Sequence, residues 1–403
     1  MTRFRLVEKD IYYVGESDFK CSKFENHIPI PGGMAYNSYL LVDEKTVLFD
    51  ASDASVSDMF LENISGLLDS LNRKLDYVVV THMEPDHSSS LKRVLEKYVD
   101  SKVVYNKKTQ TMFKQFFGYT FEGREILVSE GEKLDTGEHV LEFFMAPMVH
   151  WPEVMMCYDH KTKSLFSADA FGAFGSLSGN LFDTEIDFDE KIIEDYRRYY
   201  ANIVGKYGPQ VLKTLEKASR FEIETILPLH GFILKKEIEK MIELYSIWAA
   251  YKSEKKGVLI VYASMYDHTK SVSLALATDL KEKGIKDIKV YDVSAQDPTY
   301  LVSEAFKYSD IVLASVTHNN NIYITMEEFL LSLVSMNVQN RNFYFIENGT
   351  WAPVSAKLMK DKLSVLKNCT FSENPLTIKS AYKQEDQGAF DILVDEIVTN
   401  VGK

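Results

Sequence analysis

Over roughly the first 250 residues of the chain, short apolar segments alternate with segments whose apolar residues have helical spacing. Runs of β-branched and aromatic residues predict the strands Val47–Asp50, Tyr77–Val80, Lys102–Tyr105, Leu141–Phe144, Ser164–Phe166 and Thr225–Pro228. Apolar positions three and four residues apart predict helices that include Leu91–Tyr98, Asp189–Lys206 and Lys235–Trp248. Turn sequences such as Pro31–Gly33 and Asp135–Gly137 separate these elements. We therefore expect a mixed α/β domain built in layers.

The pattern changes near Ser253 to a regular alternation of strands and helices. The predicted strands are continuous apolar runs at Gly257–Tyr262, Ile288–Tyr291, Asp310–Ala314 and Asn342–Ile346. The predicted helices are Lys270–Lys283, Leu301–Tyr308, Met326–Ser335 and Asp391–Asn400. Apolar strands that alternate with amphipathic helices are typical of a parallel sheet covered on both faces. The sequence thus predicts a doubly wound domain at residues 257–403, joined to a first domain at residues 1–250 by a charged linker at residues 251–256.

The composition is that of an ordinary globular protein with 403 residues, of which 45% are hydrophobic and 26% charged. No apolar run approaches the roughly 18 residues of a membrane span, and the N-terminal residues lack the apolar segment of a signal peptide. We therefore expect a cytoplasmic protein without a membrane partner. The net charge of −13 and the absence of a basic run argue against a nucleic-acid partner.

The three cysteines, Cys21, Cys157 and Cys369, are widely separated and form no Cys-x-x-Cys pair. Zinc ribbons, iron–sulfur clusters and rubredoxin centres need such pairs, so the chain carries none of these modules. Buried structural thiols are the expected interpretation for all three.

A dense group of potential metal ligands lies in the loop directly after the predicted strand Tyr77–Val80. This loop contains His82, Glu84, Asp86 and His87. Three further candidates, His150, Asp169 and His230, follow other predicted strands of the same domain. A lone histidine at such a place is more often a surface or hydrogen-bonded residue, and a lone aspartate more often a helix cap or turn former. The combination nevertheless predicts a site for two metal ions, because strand ends gather functional groups in layered α/β folds.

The first domain resembles the metallo-β-lactamase superfamily, whose hydrolases usually carry the motif His-x-His-x-Asp-His. Glu84 replaces the second histidine of that motif. A shell of mixed carboxylates and imidazoles suits iron better than the nitrogen-rich pattern of zinc sites. Together with the second domain, this departure resembles the flavodiiron protein family over essentially the whole chain. The resemblance implies an N-terminal metallo-β-lactamase-like αββα sandwich and a C-terminal flavodoxin-like doubly wound parallel sheet.

The same resemblance implies an assignment of the ligands to two irons. One iron would be bound by His82, Glu84 and His150, and the other by Asp86, His87 and His230, with Asp169 as the bridge. In some members of the family, the histidine at the place of His87 turns away from the metal. The resemblance therefore leaves the role of His87 open.

Three polar loops follow strands of the predicted second domain, at residues 262–269, 315–321 and 347–351. Backbone N–H groups and the helix dipole at the first loop favour a phosphate, and its lack of glycines suits a mononucleotide. Such residues also cap helices, so the loop is weak evidence by itself, and Trp351 can either stack on a flavin or pack in the core. By resemblance to flavodoxin-like domains, we expect FMN to contact Ser264, Met265, Asp267, His268, Thr269, Thr317, His318, Asn319, Asn320, Asn348, Gly349, Thr350 and Trp351. The acidic Asp267 would be unfavourable beside a phosphate unless its side chain points away.

The family resemblance implies an oxidoreductase that reduces dioxygen to water, nitric oxide to nitrous oxide, or both. Electrons would pass from an external carrier, such as rubredoxin, through FMN to the diiron site. A reduced flavin and a reduced iron pair together hold the four electrons that dioxygen needs. In the family, the flavin of one subunit lies near the diiron site of its partner, which implies a head-to-tail homodimer or a dimer of such dimers.

Two other interpretations fit part of the pattern. One is a zinc-dependent metallohydrolase with a fused flavodoxin as a regulatory domain, and metal analysis would distinguish it. The other is an electron-carrier flavodoxin whose first domain binds metal only for structural reasons. A closed metal site without turnover would indicate the latter. The sequence leaves the preference between the two gases open.

Overall fold

The computed structural model describes residues 3–402, which divide into two compact units. The first unit contains the residues through Tyr200 together with Pro209–Ser246. The second contains Ala201–Gly208 and the residues from Ile247 onward. Within residues 3–402, no helix has both the length and the apolar character that crossing a membrane requires.

Two sheets form the centre of the first unit. The seven-stranded sheet consists, in spatial order, of Arg5–Glu8, Ile11–Tyr13, Tyr39–Val42, Thr46–Phe49, Tyr77–Val79, Lys102–Tyr105 and Glu125–Leu127. The five-stranded sheet consists of Lys133–Asp135, Val140–Met145, Met155–Asp159, Ser164–Phe166 and Thr225–Leu227. Two small antiparallel sheets pair Glu16–Asp18 with Met34–Tyr36 and Lys23–Phe24 with Ile28–Pro29.

The inner faces of the two sheets share one apolar core. Val79 and Val104 of the first sheet lie in the same buried cluster as Phe143 of the second. Phe49 and Phe166 stack across the interface with ring centroids 3.6 Å apart. Because side chains alternate between the faces of a strand, the opposite faces of both sheets need separate cover.

Helices cover the outer faces of both sheets. The first sheet is covered by Ser57–Ser70, Leu91–Lys97 and Lys107–Phe117, whose apolar residues share a buried cluster with the strands. Residues of Gly208–Ala218 and Ile238–Ala249 lie beside Met156 and Ile226 of the second sheet. This helix–sheet–sheet–helix order confirms the predicted αββα sandwich.

The second unit is a parallel sheet with helices around it. Its strands, in spatial order, are Ile288–Asp292, Lys255–Ala263, Tyr308–His318 and Asn342–Asn348, followed by Thr370–Phe371 and Leu376–Ile378. His268–Glu282 and Gln387–Val401 share one apolar cluster with the sheet. Pro298–Lys307, Ile324–Ser335 and Ser355–Leu363 are the remaining α-helices that the structure describes in this unit. The predicted doubly wound parallel sheet is confirmed.

Several local predictions differ from the structure. The helix predicted at Asp189–Lys206 is α-helical only from Glu190 to Tyr199 and continues as a short π-helix, Tyr200–Val204. Both tyrosines at this junction pack inward, Tyr199 against His230 and Tyr200 against Tyr245. Lys255 and Lys256 of the predicted linker begin a strand.

The cysteine prediction is only partly correct. Cys157 is buried on a central strand, but Cys21 and Cys369 are only partly buried. These two residues lie in loops near Ser22 and Lys367, where part of the side chain remains accessible to water.

Candidate metal centre and flavin cleft

All seven predicted ligands lie in segments that follow strands of the first unit. His82 follows Tyr77–Val79, and Glu84 caps the short helix Pro85–Ser88 that carries Asp86 and His87. His150 follows Val140–Met145, Asp169 follows Ser164–Phe166 and His230 follows Thr225–Leu227. The structure brings these seven buried residues into two clusters: His82, Glu84, His150 and Asp169 in the first cluster, and Asp86, His87 and His230 in the second.

Asp169 lies between the two clusters and directs one oxygen atom to each. Its Oδ2 atom is 3.1 Å from Nε2 of His150 and 3.5 Å from Nε2 of His82. Its Oδ1 atom is 3.1 Å from Nε2 of His87 and 3.8 Å from Nε2 of His230. A carboxylate in this position can bridge two cations.

The remaining carboxylates are divided in the same way. Oε2 of Glu84 lies 2.8 Å from Nε2 of His150, and Oδ2 of Asp86 lies 3.2 Å from Nε2 of His230. The Nε2 atoms of His87 and His230 approach to 3.0 Å. Each cluster therefore offers nitrogen and oxygen donors that converge on one small volume.

The electrostatics of the centre favour positive charge. Burial lowers the pKa of His150, but Asp169 and Glu84 outweigh this effect and raise the pKa to about 9. Burial alone would raise the pKa of Asp169, yet His82 and His87 hold it well below its usual range. Carboxylates that favour a protonated imidazole also stabilise a metal cation in the same place.

Unpaired oxygen atoms show that metal ions fit this donor set. Both carboxylate oxygens of Asp86 and both of Asp169 are buried, and none accepts a hydrogen bond of good geometry within residues 3–402. Burying an unpaired carboxylate is costly, and bound cations remove that cost. Three carboxylates with four imidazoles are hard and borderline donors that suit iron.

Three residues that support the centre were missed in the sequence. Glu153 accepts a hydrogen bond from Nδ1 of His82. Asp50 accepts hydrogen bonds from the backbone N–H and the hydroxyl of Thr81, which holds the start of the ligand loop. The Tyr199 hydroxyl is buried without a hydrogen-bond partner in the described residues. Burial, and then the charges of Asp169 and the other carboxylates, raise the pKa of Tyr199 well above its usual value, so it stays a proton donor.

A solvent-facing cavity of about 560 Å³ leads to the centre. Its lining includes Glu84 and Asp86, one from each cluster, together with Phe24, Glu25 and Tyr36. This cavity gives small molecules a route to the two clusters.

The second unit carries a cleft of about 720 Å³ at the ends of its parallel strands. All of the predicted flavin-contact residues except Asp267 line this cleft. Four lining residues were not predicted: Tyr266, Val316, Ala352 and Ser380. The side chain of Asn348 forms two hydrogen bonds with the backbone of Ser380 and so holds the loop that contains it. No pattern in the sequence links these two positions.

The residues of the cleft fit a flavin mononucleotide. The hydroxyl of Ser264 is buried and has no hydrogen-bond partner in the part of the chain that the structure describes, so it can donate to a phosphate beside helix His268–Glu282. The side chain of Trp351 is 87% exposed and its ring is free to stack on an isoalloxazine.

Asp267 has the orientation that a phosphate site needs. It adopts a left-handed conformation with φ of 63° before the helix, and its Oδ1 atom lies 3.3 Å from Nζ of Lys270. The structure therefore directs this carboxylate away from the cleft.

Comparisons with known proteins agree with this architecture. A family model described as ODP family beta lactamase matches residues 34–231. A nitric oxide reductase of Moorella thermoacetica is 28% identical over 94% of each chain. The solved rubredoxin oxygen:oxidoreductase of Desulfovibrio gigas superposes with a TM-score of 0.92 at 26% identity, covering 99% of each chain. The flavodiiron protein of Giardia intestinalis gives the same TM-score at 25% identity, covering 100% of this chain and 98% of the other.

The chain belongs to the flavodiiron protein family. The predicted family, fold class and oxidoreductase class are confirmed, and the hydrolase interpretation is not favoured. Flavodiiron proteins carry FMN and a diiron centre, which agrees with the clusters of the first unit and the cleft of the second.

Proposed function

We propose that this flavodiiron protein reduces dioxygen to water, nitric oxide to nitrous oxide, or both, at two irons held by the seven clustered residues. The observation that carries the proposal is the division of the two Asp169 oxygens between the two clusters. A carboxylate shared between two adjacent positions is the arrangement of a site in which two metal ions act together on one substrate.

The seven residues would have different roles at the proposed centre. Asp169 would bridge the irons, His82, Glu84 and His150 would hold one, and Asp86, His87 and His230 would hold the other. The three carboxylates supply charge that stabilises both ferrous and ferric ions. When bound, two irons and FMN supply the one-electron and two-electron redox chemistry that gas reduction needs.

Tyr199 and Phe24 lie beside His230 at the proposed centre. The buried Tyr199 hydroxyl remains protonated, because burial and then the charge of Asp169 raise its pKa, so it can donate a hydrogen bond from its Oη atom. Phe24 lines the cavity and lies beside His230, with ring centroids 5.6 Å apart.

We further propose that FMN occupies the cleft of the second unit and contacts the predicted residues that line it. Ser264 and Thr269 would hold the phosphate, and Trp351 would lie against the isoalloxazine. Asp267 would instead pair with Lys270 at the helix start.

Rubredoxin or a similar small carrier is the proposed electron donor, and a head-to-tail homodimer or a dimer of such dimers is the proposed assembly. The cysteines in the described residues belong to no metal-binding group, which supports a donor outside this chain. Sedimentation at several protein concentrations would test the assembly, and a monomer at all of them would contradict it. The cytoplasmic location stays a prediction, which fractionation of the source cells would test.

The function is tested by loading the full chain with iron and FMN and supplying reduced rubredoxin without oxygen. Dioxygen or nitric oxide is then added separately, and its consumption is followed with an electrode. We expect at least one gas to be consumed at a rate that depends on both iron and FMN. Loaded protein that consumes neither gas while rubredoxin reduces its flavin would contradict the proposal.

A further inference from the structure

A buried carboxylate contacts the side of His82 that faces away from the metal centre. Oε1 of Glu153 lies 2.8 Å from Nδ1 of His82 and also accepts a hydrogen bond of 2.9 Å from the backbone N–H of Met83. Glu153 is 1% exposed, and His82 is completely buried. Glu153 lies in the loop between His150 and the strand Met155–Asp159.

This contact fixes the proton of the imidazole. A carboxylate only accepts hydrogen bonds, so Nδ1 of His82 carries the proton and donates it to Glu153. The lone pair of Nε2 then points to Glu84 and Asp169, which lie 3.2 Å and 3.5 Å away. A carboxylate behind a metal-binding histidine both orients the ring and increases its basicity.

The histidines of the second cluster have weaker support. Nδ1 of His230 lies 2.7 Å from the carbonyl oxygen of Ala35, which is a neutral acceptor. Nδ1 of His87 is buried and has no hydrogen-bond partner among the described residues. Neither Nδ1 atom therefore donates a hydrogen bond to a carboxylate, as Nδ1 of His82 does.

We propose that Glu153 is a positioning residue that makes the two metal positions unequal. Through His82, it strengthens the position formed by His82, Glu84 and His150, so that this position retains its iron when the other has lost it. The inference rests on the ligand assignment proposed above and adds an order of affinity between the two irons.

A chelator titration of the loaded protein tests this order. Full-length protein with two ferrous irons is equilibrated without oxygen against rising concentrations of an iron chelator, and the iron that remains is measured. For the wild-type chain, we expect two stages of loss. Crystals prepared at the midpoint should show, by anomalous diffraction at the iron edge, iron mainly at the His82 position.

Three variants separate charge from shape. Glu153→Gln keeps an acceptor oxygen and removes the charge, Glu153→Ala removes both, and Glu153→Asp restores the charge on a shorter side chain. Loss of support behind a metal-binding histidine commonly weakens metal binding by about 10- to 100-fold. We expect Glu153→Gln and Glu153→Ala to reduce the ratio between the chelator concentrations of the two stages by a factor in this range. We expect Glu153→Asp to retain part of that ratio.

The matched control is another buried carboxylate–histidine pair in the same unit. Oδ2 of Asp159 lies 2.8 Å from Nδ1 of His139, and neither residue belongs to the metal clusters. Asp159→Asn removes a charge of the same kind and should leave both stages unchanged. If it merges the stages as Glu153→Gln does, the effect is general destabilisation and the inference is wrong.

The outcomes also separate this inference from the proposed function. Two irons that leave in a single stage from the wild-type chain, or two stages that persist in Glu153→Gln, would overturn the role of Glu153 and leave the ligand assignment intact. A wild-type chain that binds no iron at either position would overturn the ligand assignment itself. Because Glu153→Gln has nearly the same shape as the native residue, the test does not depend on whether Glu153→Ala folds.

Discussion

The Nε2 atom of His87 lies 3.1 Å from the Oδ1 atom of Asp169. In this orientation, the imidazole faces the second cluster, where it also lies 3.4 Å from Oδ2 of Asp86. The sequence left open whether this histidine points to the metal or away from it. The observed geometry favours a ligand.

Replacing His87 with Ala should therefore remove one donor from the second cluster. We expect iron content to fall from about two to about one per chain, because one carboxylate and one histidine beside the bridge are a poor site. Iron analysis of the purified variant checks this. His160→Ala is the control, since His160 pairs with Glu142 outside the clusters, and equal loss of iron from both variants would contradict a specific role for His87.

Replacing Asp169 with Asn should affect both metal positions together. The amide keeps one oxygen and replaces the other with an NH₂ group that cannot bind a cation, so the bridge is lost. We expect iron binding to weaken by more than about 100-fold. This exceeds the loss of affinity that usually follows mutation of a residue hydrogen-bonded to a metal ligand. A variant that keeps both irons with wild-type affinity in a chelator titration would show that Asp169 does not bridge.

Ser264 and Asp267 should respond differently to substitution in the flavin cleft. A hydrogen bond to a charged group contributes about 1.5–3 kcal/mol, so Ser264→Ala should weaken FMN binding by about 10- to 100-fold. Asp267→Asn should change it by less than about three-fold, because its carboxylate pairs with Lys270. Quenching of FMN fluorescence measures both affinities. The reverse order of effects would mean that Asp267, and not Ser264, meets the phosphate.

The buried pair of His139 and Asp159 should make the first unit less stable at high pH. Burial lowers the pKa of His139, but Asp159 and then Asp10 outweigh it and raise the pKa above its usual value. Burial raises the pKa of Asp159, but hydrogen bonds from His139 and Thr162 outweigh it and lower the pKa, so the carboxylate stays ionised near neutral pH. The raised histidine pKa contributes stability that is complete below about pH 6.5 and is lost as pH rises through the folded-state pKa.

Calorimetry of the wild-type chain and of His139→Gln tests this pH dependence. We expect a difference in the free energy of unfolding of about 1–3 kcal/mol at about pH 6, and a smaller difference at about pH 9. A difference that grows with pH would mean that the pair is most stabilising when His139 is neutral.

The second unit was predicted well because its strands are buried on both faces. The run Gly257–Tyr262 lies within the strand Lys255–Ala263, and Asp310–Ala314 lies within Tyr308–His318. The helix Ser355–Leu363 was missed, since Lys and Asp interrupt its apolar spacing. The short strands near the C-terminus were missed as well, because two or three residues carry no readable period.

The clustering of the proposed metal ligands was predictable, because four of them share one loop and the others follow strands. The role of Glu153 was not predictable, because Glu153 is 71 residues from His82 in the sequence. In the sequence alone, it does not differ from other acidic residues in loops. Tyr199 was hidden in the same way, since an inward-facing tyrosine at the end of a helix is usually a core residue. Contacts of this kind depend on how the layers pack.

The central claim is that Asp169 joins two irons, and anomalous diffraction at the iron and zinc edges tests it most directly. Crystals are grown from full-length protein produced in cells supplied with both metals. We predict two iron positions per chain, one beside His82, Glu84 and His150 and the other beside Asp86, His87 and His230, with one Asp169 oxygen on each. Zinc at these positions, or a single metal with Asp169 on one side only, would contradict the account.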